Sequence, residues 1–336
     1  MKKLNQRNFL GGIMAAGSVM FLLGGCCGIC ETKCAKACET KCDKPKVVRP
    51  LSPSLRQSKM PFKLGVARWT LHLEPFDSSL RILRDLDVHN VGMLYKTISY
   101  DATDAEIAAH KAKCAEYGVQ IVSEGPADFT SEEKIKAVFE FAKRYGIKFI
   151  ACVPSELDPR IAGIADEKER LKVLPNKKEW NVESDRMLDI VDKYVKLYDI
   201  KVGIHNHGPD MPRCFPNGAA GLARIGNRDK RIGLCYDIGH AKRSGEDPVK
   251  FIREHSDRIY EVHLKNIQVD PAKNRAKEGP RGELDVVGVL KALKDANYSG
   301  FCLVEYETNY DCIESPLAES VGYYRGIMDA IEALDK

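Results

Sequence analysis

From Pro61 onward the chain alternates between two hydrophobic periods. Short apolar runs of strand length are each followed by a stretch in which apolar residues return every three or four positions, the spacing of one helix face. The short runs predict strands at 62–69, 89–95, 119–124, 147–153, 201–206, 231–237, 258–264 and 300–306. Helices are predicted at 77–87, with Asp77 or Ser78 as cap, and at 183–199, where Met187, Ile190, Val191, Tyr194, Val195 and Tyr198 form a stripe. Others are expected near 218–226, from about 247, from Asp285 to about Asn297, and over 317–334. Thr103-Asp104-Ala105-Glu106 and Thr130-Ser131-Glu132-Glu133 read as capping boxes, opening helices that stop at Gly118 and Gly146. The charged segment 155–182 is too long for an ordinary connection and reads as a functional loop or lid.

Eight strand–helix units in succession imply a parallel sheet, and in this length they fit a closed (β/α)8 TIM barrel over residues 61–336. Active sites in such barrels lie at the C-terminal ends of the strands.

The first sixty residues follow different rules. Met1-Lys2-Lys3 and Arg7 form a basic start, and residues 9–25 are apolar, small and too short for a comfortable span. Residues 1–25 thus read as a signal peptide. Leu23-Gly24-Gly25-Cys26 resembles a bacterial lipobox, which implies lipidation at Cys26, and the single Arg7 resembles a degenerate twin-arginine signal. An uncleaved anchor helix is the other reading. Either way the barrel is expected outside the cytoplasm, held at a membrane as an exported lipoprotein would be. Residues 26–60 read as a tether and linker. Six of the twelve cysteines fall at 26, 27, 30, 34, 38 and 42, with Glu-Thr-Lys-Cys repeated. This is a low-complexity spacer or a soft-metal or redox segment, without the paired spacing of a zinc module. Cys114, Cys152, Cys214, Cys235, Cys302 and Cys312 are expected as small apolar core residues.

Charge narrows the partners. The net charge of +4 over 336 residues is spread along the chain, with no dense basic run to follow a phosphate backbone, which argues against nucleic acid.

Four predicted strands end in chemistry-bearing residues: His205, Asp237, His263 and Glu305. Parallel neighbours would bring these to one point, and histidine with carboxylate suits a divalent transition metal (Mn, Co, Fe or Zn, with Mg as a further option) more than calcium. His207, His240 and Lys265 stand beside them. Lys265 shares a strand side with His263 and could neutralise an oxyanion; His240 could bond a hydroxyl or move a proton.

Tyr-Asp-Ile-Gly-His-Ala at 236–241, Arg-Ser-Gly-Glu-Asp-Pro at 243–248, His263-Leu264-Lys265-Asn266, Gly282-Glu283-Leu284-Asp285 and Glu305-Tyr306-Glu307 resemble the xylose isomerase-like sugar phosphate isomerase/epimerase superfamily. That superfamily includes ketose epimerases, hydroxypyruvate isomerase, inosose dehydratase and keto-glycoside lyases or hydratases. The resemblance implies Asp237, His263 and Glu305 as metal ligands, His240 as a substrate contact and Lys265 as the motif lysine. Two positions depart from it: His205 stands where epimerases usually carry Glu, and Asn266 where Asp is usual. Epimerases use two carboxylates across the substrate; here Glu305 remains, and Glu124, Glu156 or Glu307 are candidates for the other.

The expected function is a metal-dependent isomerase or epimerase that removes a proton next to a carbonyl of a non-phosphorylated sugar, with Glu305, His240, Lys265 and His207 as catalytic candidates. Export favours a free sugar, cyclitol or glycoside. The alternative is a keto-glycoside lyase or hydratase on the same metal site. Further alternatives are a non-catalytic sugar-binding lipoprotein and, disfavoured, a DNA-repair nuclease of the endonuclease IV type. The chain leaves room for a homo-oligomer.

Overall fold

The computed structural model describes residues 58–154, 169, 172–173, 177–208, 214–270 and 275–334. The expectations for Cys26, the tether, Glu156 and most of the lid lie outside the described residues. The described residues all fall within one compact unit, Leu51–Lys336. No described helix is long and apolar enough to cross a membrane.

Strands β1 (Lys63–Val66), β2 (Asn90–Gly92), β3 (Gln120–Phe129), β4 (Phe149–Pro154), β5 (Lys201–His205), β6 (Ile232–Asp237) and β7 (Ile259–Leu264) are followed by a hairpin of β8 (Ile267–Asp270) and β9 (Arg275–Glu278), and then by β10 (Phe301–Val304). All but the hairpin form one closed parallel barrel in the order β1-β10-β7-β6-β5-β4-β3-β2. β1 pairs with β2 on one side and β10 on the other, which seals the sheet. Around it run α1 (Phe76–Asp85), α2 (Asp104–Glu116), α3 (Glu132–Tyr145), α4 (Lys177–Tyr198), α5 (Gly218–Ile225), α6 (Ile238–Arg243), α7 (Pro248–His255), α8 (Val286–Asp295) and α9 (Glu314–Leu334). The expected (β/α)8 architecture is the architecture found.

The differences are local. At Thr103 the capping box forms, its hydroxyl accepting from Glu106 N–H while Glu106 reaches back. For α3 the cap is Ser131, not Thr130, and its hydroxyl accepts from Lys134 N–H. Neither Asp77 nor Ser78 caps α1; the helix begins one residue before Asp77, behind Pro75, and Ser78 Oγ donates to Glu74 Oε2 at 2.6 Å. β3 runs past the expected Glu124 because the chain stays extended to pair Ala127, Asp128 and Phe129 with Cys152, Val153 and Pro154. Cys312 is exposed, unlike the other five described cysteines.

Two shells of apolar residues fix the barrel. Outward-facing Leu234 and Tyr236 pack into the core beneath the helices, while Phe149, Ala151 and Cys235 pack with Tyr260 inside the barrel. Gly203 and Gly233 make room for that inner plug. A Cβ on Gly203 would come within 2.6 Å of the Phe149 ring, and one on Gly233 within 2.5 Å of Tyr260. Large rings fill the end where the strands begin, so polar chemistry is confined to the end where they finish.

Candidate metal centre and active site

Strand register assembles the cluster. Across β6 and β7 Asp237 stands opposite His263, across β5 and β6 His205 stands opposite Cys235, and Leu303 of β10 stands opposite His263. Glu305 follows β10 directly, its N–H donating to Leu264 O at 3.2 Å. One ligand atom from each of His205, Asp237, His263 and Glu305 lies within 4.8 Å of every other, and all four residues are buried. Cys235 forms a second grouping at that range with His205 and His263.

Asp237 is held before any ligand arrives. Asn206 grips its peptide from both sides: Asn206 Nδ2 donates to Asp237 O and Asp237 N–H donates to Asn206 Oδ1, each at 2.9 Å. Asp237 is also the N-cap of α6, its Oδ1 accepting from His240 N–H at 2.8 Å. That leaves Oδ2, buried and without a hydrogen-bond partner among the described residues, and His205 Nε2 is in the same condition. Buried polar atoms in that state are rare and costly.

His263 Nε2 lies 3.3 Å from Glu261 Oε1, and its Nδ1 lies 3.0 Å from Glu305 Oε2. With one ring proton toward Glu261, Nδ1 confronts a carboxylate oxygen, an arrangement that needs a cation or a second proton. Burial disfavours the charged ring, yet Cys235, Glu305 and Glu261 outweigh it and raise its basicity well above the usual range. Burial also holds His205 neutral, aided by His263. Burial pushes the Asp237 carboxyl well up, partly offset by Lys265. Glu305 goes the other way: burial opposes ionisation, but Lys265 and His263 prevail and hold it well below the usual range. A neutral His205, the partnerless His205 Nε2 and Asp237 Oδ2, and the ionised Glu305 beside them together fit a divalent cation. His205, Asp237, His263 and Glu305 would hold it.

Lys265 forms the neighbouring layer. It is 1% exposed, and its ammonium touches Glu307 and lies 3.3 Å from Glu305, 3.5 Å from Glu278 and 3.7 Å from Asp237. Burial opposes its charge, but these carboxylates more than compensate, so it stays protonated. Gly239 lets α6 pass this close, since a Cβ there would meet Lys265 O at 2.6 Å. His240 Nε2 lies 3.2 Å from Lys265 Nζ, and its Nδ1 lies 3.2 Å from Arg243. Burial first, then Lys265, keeps His240 neutral, and a neutral imidazole can accept from only one of the two cations. His207 lies beside it, ring centroids 4.1 Å apart and the planes tilted by 34°, and stands 6.0 Å from His205.

The seven site residues expected within the barrel thus fall at one end of it, in one connected set. Of the carboxylates considered as partners for Glu305, Glu307 binds Lys265, while Glu124 lies in the middle of β3, bound to Arg68 and Tyr100. Sequence reasoning missed Glu261, Asn206 and Glu278. Glu261 carried a signal, since it lies two residues before His263 and so shares its strand face. Asn206 was visible between two histidines. Glu278 had no signal: it arrives on the β8–β9 hairpin, where its Oε2 accepts from Glu307 N–H at 2.7 Å.

A parallel eight-stranded barrel with a histidine–carboxylate cluster at its C-terminal mouth defines a sugar isomerase/epimerase-like enzyme fold. The chain belongs to the xylose isomerase-like TIM barrel family, whose profile matches residues 80–327. Among curated relatives it is similar to an inosose dehydratase of Clostridium beijerinckii, 27% identical over 201 residues. That match covers 53% of this chain and only 63% of the relative. Among solved structures it resembles D-psicose 3-epimerase from Clostridium cellulolyticum H10, with TM-score 0.57 and 14% identity over 80% of this chain and 99% of that one. A sugar phosphate isomerase/epimerase from Parabacteroides distasonis is as close, with TM-score 0.57 and 15% identity over 83% and 100% of the two chains. At these identities the solved structures speak to the fold alone.

Proposed function

We propose that this protein is a divalent-metal-dependent enzyme that removes the proton next to a carbonyl of a non-phosphorylated sugar or sugar derivative, in the manner of an isomerase or epimerase. The observation that carries this is the convergence of His205, Asp237, His263 and Glu305 within 4.8 Å, with His205 Nε2 and Asp237 Oδ2 lacking hydrogen-bond partners. A divalent ion held by these four residues would supply Lewis acidity at the carbonyl. The protein supplies the rest. Glu305, ionised beside Lys265 and His263, is positioned to take the proton. Lys265, charged and shielded from water, donates to the developing oxyanion. His240, kept neutral, and the adjacent His207 bind hydroxyls and relay a proton. The expected export of the chain supports a non-phosphorylated substrate.

A second reading, elimination of a β-substituent from the same enolate, is favoured by two observations. His205 removes the second carboxylate that a two-base epimerase uses, and the matched curated relative is named as a dehydratase. Solvent-deuterium NMR separates the two. Metal-loaded protein is incubated in D2O with a ketose, its phosphate ester, a keto-cyclitol and a 3-keto-glycoside. Deuterium entering the carbon next to the carbonyl, with the skeleton intact, identifies isomerase or epimerase chemistry. Release of water or free aglycone identifies elimination. No exchange and no cleavage in any of them would reject the proposal in favour of a sugar-binding protein.

A further inference from the structure

A cavity of about 1000 Å3 opens over the ends of β1, β2 and β3, and none of His205, Asp237, His263 and Glu305 lines it. Its wall includes Arg68, Trp69, Tyr95, Tyr100 and Glu124. Glu124 is 1% exposed, and its Oε1 accepts from Arg68 Nη1 at 2.6 Å and from Tyr100 OH at 2.9 Å. Its Oε2 has no hydrogen-bond partner among the described residues. A buried carboxylate oxygen in that state is costly, and a hydroxyl entering from the cavity would satisfy it. Trp69 and Tyr95 meet edge to face with centroids 5.1 Å apart, and the Arg68 guanidinium lies 5.2 Å from the Tyr95 ring centre. Aromatic faces for C–H surfaces, with a few fixed charged groups for hydroxyls, are what a sugar ring requires.

A row of rings runs from the cavity wall toward the cluster. Trp69 stacks on His72 at 4.4 Å, and His72 meets Tyr310 edge to face at 4.7 Å. Tyr310 follows Glu307, one of the carboxylates around Lys265, by three residues. A space of this size stands at the upper end of the range of roughly 300–1,000 Å3 that houses whole ligands.

We propose that this cavity is a second carbohydrate subsite. The substrate is then a glycoside or disaccharide whose carbonyl-bearing ring faces the four-residue cluster, while its other ring lies against Trp69 and Tyr95 and donates a hydroxyl to Glu124 Oε2. The assignment rests on the reading of the cluster as acting on a sugar carbonyl.

Calorimetric titration of the full chain with glucose, cellobiose, maltose and trehalose, before and after EDTA treatment, tests it. At least one disaccharide is expected to bind about tenfold tighter than glucose or better. That advantage should persist after EDTA, because no cavity residue named here belongs to the cluster. Glu124→Gln should reduce it severalfold without changing metal content. Tyr95→Ala, at a half-buried position, should do the same if Glu124→Gln fails to fold. Equal affinities for glucose and all three disaccharides, no binding by any of them, or an advantage untouched by the folded variants would overturn the subsite. A protein that binds no metal yet keeps the disaccharide advantage would instead refute the cluster reading and retain the subsite.

Discussion

Each of the four cluster residues is set by a different neighbour. Asn206 clamps the peptide of Asp237, α6 takes one of its oxygens as a cap, Glu261 faces His263, and Lys265 holds Glu305 ionised. Glu261 is the most informative of these supports, because a carboxylate on the far nitrogen of a ligating histidine fixes its ring and raises its donor strength. Glu261→Gln keeps the size and removes the charge. Metal affinity of the folded variant, measured by competition with a chelator, should fall by about 10–100-fold; an unchanged affinity would leave Glu261 as a packing residue. The cluster residues themselves were legible from the chain, since each closes an apolar run too short to be a helix. Their supports were not. Glu261 looks like one more residue of an alternating strand, and the partners of Lys265 come from β9 and the loop after β10, brought together by pairing that no local pattern encodes.

At the scale of elements, the helices were readable wherever a side chain caps its own backbone. Thr103 and Glu106 satisfy each other's N–H groups at the start of α2. Thr103→Ala should cost about 1 kcal/mol and lower the melting temperature by about 2 °C, measured by circular dichroism; no shift would mean the cap is redundant with packing. The start of α1 misled because the acidic and hydroxyl residues behind Pro75 lie inside the first turn rather than ahead of it. α2 also carries His110, whose Nδ1 lies 2.9 Å from Tyr145 OH on α3 and whose Nε2 lies 3.0 Å from Thr97 Oγ1. Its ring stacks on Phe76 of α1 at 4.5 Å. Burial lowers its pKa from 6.5 to about 4. Above pH 6.5 the folded and unfolded chains both hold it neutral, so its contribution to stability is complete. As the pH falls from 6.5 toward 4 the unfolded chain takes up a proton that the fold resists, and that contribution is lost. Urea unfolding at pH 7.5 and pH 5 should therefore show a larger loss of stability on acidification for the wild type than for His110→Gln. Equal losses would contradict the assignment.

For the whole molecule, closure of the barrel does two things at once. It buries both faces of every strand, which is why β6 is apolar up to Asp237 with no polar alternation. It also leaves the strand ends as the place where charged side chains gather. Rings pack against Gly203 and Gly233 at one end, and the buried ammonium of Lys265 stands among carboxylates at the other. The eight-fold alternation made the architecture legible, because the strand and helix periods differ clearly. The β8–β9 hairpin and the cavity over β1–β3 were illegible, because they depend on loops that carry no period. The central claim is that His205, Asp237, His263 and Glu305 hold a divalent ion, and elemental analysis after reconstitution with Mn, Co or Zn and removal of free metal tests it most directly. The account predicts about one ion per chain in the wild type and less than about a tenth of that in Asp237→Ala and His205→Ala, with unchanged far-ultraviolet circular dichroism. A wild-type chain that retains no ion, or folded variants that retain as much as the wild type, would contradict it.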